Sequence, residues 1–143
     1  MQHKIQADSS FWIMMALLIL TLPMNWVAAA TLAAAFHELC HLGMLKFFRI
    51  PIYGFRIRAG GAVLDTGPMG DREELICALA GPLGSFLLLI PLHIAPRVAI
   101  CGLVQGGFNL LPLGNLDGGR AARCAIRLIH GKSPCKEGKM RVQ

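Results

Sequence analysis

Two histidines and a glutamate, His37, Glu38 and His41, stand inside AATLAAAFHELCHLGMLKFF, one of the most apolar stretches of the chain. Ionisable groups are costly in such a stretch, and within a membrane span they mark function. On an α-helix positions 37 and 41 are one turn apart. Both imidazoles therefore leave the same side and can share one metal ion, while Glu38 flanks that face within reach of a water at the ion. Neutral imidazole nitrogens suit zinc, and two histidines with a carboxylate nearby fit an open catalytic site better than a closed structural one. A third protein ligand is then required. The acids outside loop ends and tails are Asp65 and Asp117. Asp117 lies in FNLLPLGNLDGGR, a Pro- and Gly-punctuated stretch just past an apolar segment, where an unwound helix end can lower a carboxylate towards the ion.

Four apolar segments must position these groups. Phe11 to Leu22 is a short run closed by Pro23 and Asn25, and Trp26 to Leu45, which carries HELCH, has the length of a bilayer crossing. Residues 46–70 change to a rough alternation broken by Pro51, Gly54, Gly60, Gly61 and Gly67, which predicts a strand or hairpin. Asp71, Glu73 and Glu74 open a helix whose apolar part, Leu75 to Ile94, is the third crossing, and Ala95 to Leu111 is the fourth. GGRAARCAIRLIHG reads as an amphipathic helix along the headgroups, with Arg120, Arg123 and Arg127 on one face. The expected fold is thus an all-α polytopic membrane protein. It has about four transmembrane helices, a small β element between the second and third, and a C-terminal amphipathic helix. Residues 1–131 form one membrane-embedded core and 132–143 a basic, solvated and mostly disordered tail.

Composition agrees. Of the 143 residues 55% are hydrophobic and only 15% charged, unlike a soluble domain. The net charge of +6 comes without the aromatic interleaving of a nucleic-acid surface, so no nucleic-acid partner is expected. With four crossings and an internal N-terminus, every Lys and Arg except Arg97 falls on the cytoplasmic side, as the positive-inside rule favours, and both termini are cytoplasmic. Five cysteines, odd in number and without a CxxC pair, suggest neither a disulfide framework nor a zinc ribbon. The first apolar run follows a charged start but no cleavage site, and is read as a retained anchor.

HExxH within an apolar helix, then ALAGPLGS, then NLLPLGNLDGG after a further apolar segment, together resemble the site-2 protease family of intramembrane zinc metalloproteases. The chain is similar in particular to the compact branch that includes stage IV sporulation protein FB. The similarity runs from about Ala30 to Arg127. It implies one Zn2+ held by His37, His41 and Asp117, with Glu38 as the catalytic acid and base. It also implies that Asn109 supports the site or the developing oxyanion, and that Gly60 and Gly61 lie in the strand region holding substrate. The implied activity is hydrolysis of a peptide bond in or near a transmembrane segment of a membrane-protein substrate, in a bacterial cytoplasmic membrane. Strand addition to residues 55–64 would compensate the backbone groups freed when that substrate unwinds.

Two positions depart from the family pattern. Cys40 stands where the family has Gly, and Ser85 where GPxxN members carry Asn. Cys40 lies off the His37 and His41 face and is expected to be a packed small residue. The PDZ and CBS domains of longer relatives are not recognised, so regulation is expected from elsewhere. The basic C-terminal helix is expected on anionic lipid, with a regulatory membrane partner as the open alternative. Competing functions are a divalent-metal transporter, which needs a through-path and more helices, and a non-catalytic membrane scaffold, which has no use for an intact Glu38 and ligand set.

Overall fold

A computed structural model describes residues 5–58, 61–114, 116–131 and 140–142; of residues 5–7, 58 and 140–142 only the backbone is described. Gly60 lies outside the described residues. The chain is mostly helical: α1 (Ser9–Thr21), α2 (Met24–Phe47), α3 (Asp71–Leu87), α4 (Pro96–Asn109) and α5 (Asp117–His130). A four-stranded sheet of order β1-β2-β3-β4 joins them, with β1 (Ile5–Ala7), β2 (Ile52–Arg58), β3 (Gly61–Thr66) and β4 (Met140–Val142).

The buried side of α2 is narrow. Ala29, Ala33, His37, His41 and Leu45 are buried at a constant spacing of four, so a single ridge faces the protein and carries both histidines. Against it stand α3 and α4. On α3 the buried Cys77, Gly81 and Ser85 repeat the same spacing, and their small side chains let the two helices approach closely. Cys40 sits in this contact, its Sγ against Gly84, as a packing residue. Below the histidines, Leu45, Ile50, Leu64, Met69 and Cys77 form an apolar cluster between the end of α2, the hairpin and the start of α3.

The chain leaves α2 through Arg49 at φ 56°, the only positive-φ residue other than glycine among the described residues. The Ile50 N–H closes back on the Leu45 carbonyl at 2.9 Å, a helix stop in which Gly is the usual left-handed residue. An L side chain there costs about 1–2 kcal/mol, partly offset by the greater freedom of an unfolded glycine. Arg49→Gly is therefore expected to raise stability by about 0.5–1 kcal/mol, read as a higher thermal midpoint in detergent; a lower midpoint would contradict this account.

The hairpin expected between residues 46 and 70 is β2 and β3, antiparallel from Ile52↔Thr66 to Arg58↔Gly61 with a register shift between Ile52 and Gly54. Both its edges are partly covered. β1 runs parallel to β2 along Phe55–Ile57, and β4 runs antiparallel to β3 along Leu64–Thr66. A strand cannot therefore add along all of 55–64. Among the described residues the outer edge of β3 carries no strand only at 61–63, and there the Ala62 N–H is taken by Glu38. Within the mostly disordered tail expected at 132–143, Met140–Val142 form a sheet strand, β4.

Three further expectations change. The third apolar segment is not one helix to Ile94: α3 ends at Leu87 and continues in successive i→i−3 turns. Pro91 explains this, because its ring would clash with the Leu87 carbonyl four residues back if the helix went on. Of the four expected crossings, one helix among the described residues, α2, is by itself long and apolar enough to span a bilayer, while α1, α3 and α4 have 13, 17 and 14 residues. Finally, α5 does not present all three arginines to a headgroup layer. It packs on α3, Arg120 is buried and Arg127 is paired with α3 acids, while Ile126 and Ile129 face outward. The acids opening α3 supply counter-charges inside the protein, and these turn the basic face inward.

Candidate metal centre

His37 and His41 leave α2 one turn apart and point into the crevice between α2 and α3. Asp117, the first residue of α5, enters from the other side. Its approach depends on Gly118: a Cβ there would overlap the carbonyls of Leu110 and Leu111, so only a glycine lets the start of α5 tuck beneath the chain leaving α4. The three side chains converge although 80 residues separate the first and last. Asp117 Oδ2 lies 3.1 Å from His37 Nε2 and 3.1 Å from His41 Nε2, and the two Nε2 atoms are 3.2 Å apart. All three residues are 2% exposed, so the cluster is shielded from bulk solvent.

The far side of each ring decides what these atoms can do. His41 Nδ1–H donates to the Cys77 carbonyl at 2.8 Å. Ser85 Oγ–H donates to the Gly81 carbonyl at 3.1 Å, and the same oxygen accepts His37 Nδ1–H at 2.9 Å. In the neutral tautomer with Nδ1 protonated, each Nε2 is then a bare lone pair. Two lone pairs and a carboxylate oxygen facing one another at about 3 Å repel unless a cation lies among them. Zinc holds N and O ligands at about 2.0–2.2 Å, and tetrahedral ligands at that radius stand about 3.3 Å apart. The donor set, its spacing and its burial therefore fit a zinc ion bound by His37, His41 and Asp117 with one coordination position left over.

Gly81 supplies the room. A Cβ at residue 81 would overlap His41 Nε2 and lie 2.7 Å from His37 Nε2. One ridge of α3 therefore does three things: Cys77 and Ser85 orient the rings, and Gly81 between them keeps the lone pairs clear. Ser85 is thus a ring-orienting residue. Sequence reading missed that role; the available signal was its spacing of four from Gly81. Ser85→Ala is expected to weaken zinc binding by about 10- to 100-fold in a chelator competition, because His37 then loses the partner that fixes its tautomer. An unchanged affinity would remove Ser85 from the centre.

Glu38 flanks the cluster without joining it. Its Oε1 accepts the Ala62 N–H at 3.1 Å, so the start of β3 anchors one carboxylate oxygen. Gly61 lies beside it at φ +123°, where an added Cβ would come 3.0 Å from Glu38 Oε1. A glycine is needed there both for the backbone conformation and for the approach. Asn109 ends α4, half-buried, and no hydrogen bond among the described residues ties it to the centre. Asp65, the other carboxylate considered as a third ligand, is paired with Arg56 at 3.1 Å on the hairpin.

A second grouping, Asp71, Glu74 and Cys124, also has ligand-type atoms. It is already occupied by a guanidinium: Arg127 donates to Asp71 at 2.7 Å and to Glu74 at 3.0 Å. Burial, and then the charge of Glu74, push the Cys124 thiol up to about 12. A protonated thiol beside a bound guanidinium is a poor ligand.

No family model matches the chain. By sequence it is similar to the zinc metalloprotease MJ0392 of Methanocaldococcus jannaschii, 26% identical over 142 residues, covering 90% of this chain and 39% of the relative. The chain thus spans well under half of that protein's length. By structure it matches a site-2 protease from Methanocaldococcus jannaschii with a TM-score of 0.72 and 23% identity, covering 90% of this chain and 69% of the other. The sequence is thus similar to that of the zinc metalloprotease, and the fold is that of the site-2 protease structure.

Proposed function

We infer that this chain is a member of the site-2 protease family and a zinc metalloprotease that hydrolyses a peptide bond in or near a transmembrane segment of a membrane-protein substrate. The observation that carries this reading is the buried triangle of His37 Nε2, His41 Nε2 and Asp117 Oδ2, with ring protons engaged behind it and Glu38 beside it. Zinc, when bound there, supplies Lewis acidity that makes a water nucleophilic near neutral pH and polarises a carbonyl.

The chain's own residues do the rest. His37 and His41 present bare lone pairs because Ser85 and Cys77 hold their Nδ1 protons. Glu38 accepts a proton from the attacking water and returns it to the departing amine, with Oε1 fixed on Ala62 so that Oε2 is aimed. The edge of β3 at 61–63 adjoins this carboxylate; with the Ala62 N–H held by Glu38, the Ala62 carbonyl is the group left to accept a hydrogen bond from an unwound substrate strand beside the reacting groups. Asn109 as an oxyanion support, and Gly61 as a substrate contact, are parts of the same proposal.

A bilayer setting is supported by what the helices expose. Trp12, Ile13, Leu17 and Leu20 on α1, Leu32 and Leu39 on α2, Leu83 and Leu87 on α3, and Leu103 and Val104 on α4 all face outward. Large apolar side chains exposed on all four of these helices suit lipid better than water. Four membrane-embedded segments, cytoplasmic termini and a bacterial cytoplasmic membrane belong to this reading, as does lipid around α1 to α4.

The chain purified in detergent is expected to cleave a model transmembrane substrate, to lose that activity on treatment with a zinc chelator, and to regain it when Zn2+ is restored. Cleavage indifferent to the chelator would defeat the metalloprotease reading. Movement of a divalent metal across vesicles without any cleavage would favour a transporter instead.

A further inference from the structure

Asp117 turns Oδ2 to the two imidazoles, and its other oxygen, Oδ1, is buried with no hydrogen-bond partner among the described residues. Arg120, one turn further along α5, places Nη1 3.8 Å from that oxygen. Arg120 is only 4% exposed, and its Nη1 and Nη2 are likewise buried without a hydrogen-bond partner. Nη2 lies 3.6 Å from Oε1 of Glu74 on α3. Glu74 Oε2 in turn accepts from Arg127 Nη2 at 3.0 Å, and Arg127 Nε donates to Asp71 Oδ1 at 2.7 Å. A line of alternating charge thus leads away from the metal centre through the α3–α5 contact: Asp117, Arg120, Glu74, Arg127, Asp71.

A buried guanidinium carries a large desolvation penalty unless it is matched by acids. Neutralising Glu74 does not explain Arg120, because Arg127 already bonds Glu74. What Arg120 adds is a fixed cation on the far side of Asp117. The carboxylate can swing about its Cβ–Cγ bond, and it reaches both histidines only when one oxygen is aimed between them. A cation on the Oδ1 side favours that orientation. Outer partners of this kind orient ligating side chains and raise metal affinity.

We propose that Arg120 is a positioning residue for the metal centre: it holds Oδ1 of Asp117 so that Oδ2 stays turned to His37 and His41, and the Glu74, Arg127 and Asp71 chain holds the guanidinium. This rests on the metal-centre reading above, and it extends the centre to residues of α3 and α5 that no ligand motif contains. It also makes the α3–α5 contact a condition for a complete ligand set.

The test uses the whole chain in detergent, with zinc affinity from chelator competition and the visible absorption of the Co2+-loaded protein as a report on ligand geometry. Arg120→Met is expected to bind zinc about 10- to 100-fold more weakly and to shift the cobalt bands in the direction of an Asp117→Asn reference. Arg120→Lys, which keeps the charge without the fork, is expected to fall between. The double variant Arg120→Met with Glu74→Met removes the buried cation together with the α3 acid nearest to it, so the contact keeps its charge balance and the variant remains informative if the single one fails to fold. It is expected to stay as weak as Arg120→Met. Wild-type affinity and spectrum in Arg120→Met, or their return in the double variant, overturns the proposal, since Arg120 would then only balance Glu74. A wild-type chain that binds neither zinc nor cobalt overturns the metal-centre reading itself, and the positioning role with it.

Discussion

Glu38→Gln is expected to lower peptide-bond cleavage by about 10²- to 10⁴-fold, the usual worth of a general acid–base group, while the purified protein keeps its zinc. The two effects separate because Glu38 is not one of the three converging atoms; it is tied instead to β3 through the Ala62 N–H. A glutamine carbonyl accepts that hydrogen bond equally well, and the side chain keeps its size. What is lost is the capacity to take and return a proton. Cleavage of a model transmembrane substrate, measured beside metal content by mass spectrometry, checks both halves. Undiminished cleavage would take Glu38 out of the mechanism. Loss of zinc together with activity would make it a ligand or a structural group.

Gly81→Ala is expected to empty the centre although residue 81 ligates nothing. The added methyl would overlap His41 Nε2 and sit 2.7 Å from His37 Nε2, where zinc's ligand atoms must converge. The rings cannot retreat freely. Cys77 and Ser85, one turn to either side on the same helix, hold them from behind at 2.8 and 2.9 Å. If α3 moves back to admit the methyl, it pulls both orienting groups away. Zinc affinity should therefore fall by more than about tenfold, with an overpacking cost of about 1–3 kcal/mol in stability. Gly107→Ala on α4 is the control, since nothing lies within 4 Å of a Cβ there, and it should leave zinc binding unchanged. Normal zinc affinity in Gly81→Ala would mean that α2 and α3 are not packed as described.

Much of the centre was legible before any coordinates, and for a local reason. The spacing of His37, Glu38 and His41 is a property of one helix, and helix geometry is nearly independent of what surrounds it. The acids at the start of α3 and the turn residues between 46 and 70 were legible on similar grounds. Where the reading failed, distant atoms decided. The apolar run to Ile94 has Pro91 among its end markers, but the helix already stops at Leu87, because the conflict of the proline ring is with a carbonyl four residues back. The arginines of the basic helix share a face, which suits lipid, and nothing local says that Asp71 and Glu74 wait for them on α3. A strand of three residues in the mostly disordered tail has no pattern of its own until β3 offers it an edge.

By itself the sequence determined the pair of imidazoles, the flanking carboxylate and the candidate carboxylate in NLDGGR, since each follows from residue type, spacing and the cost of polar groups in apolar surroundings. Only the tertiary structure decided that Asp117 meets the histidines, that Ser85 and the Cys77 carbonyl leave both Nε2 lone pairs bare, and that Arg120 stands behind the third ligand. Those are contacts between helices, and they depend on how closely α2, α3 and α5 approach. That approach is set by small residues such as Gly81 and Gly118, whose contribution is the space they leave, and a one-dimensional pattern of side chains does not display space.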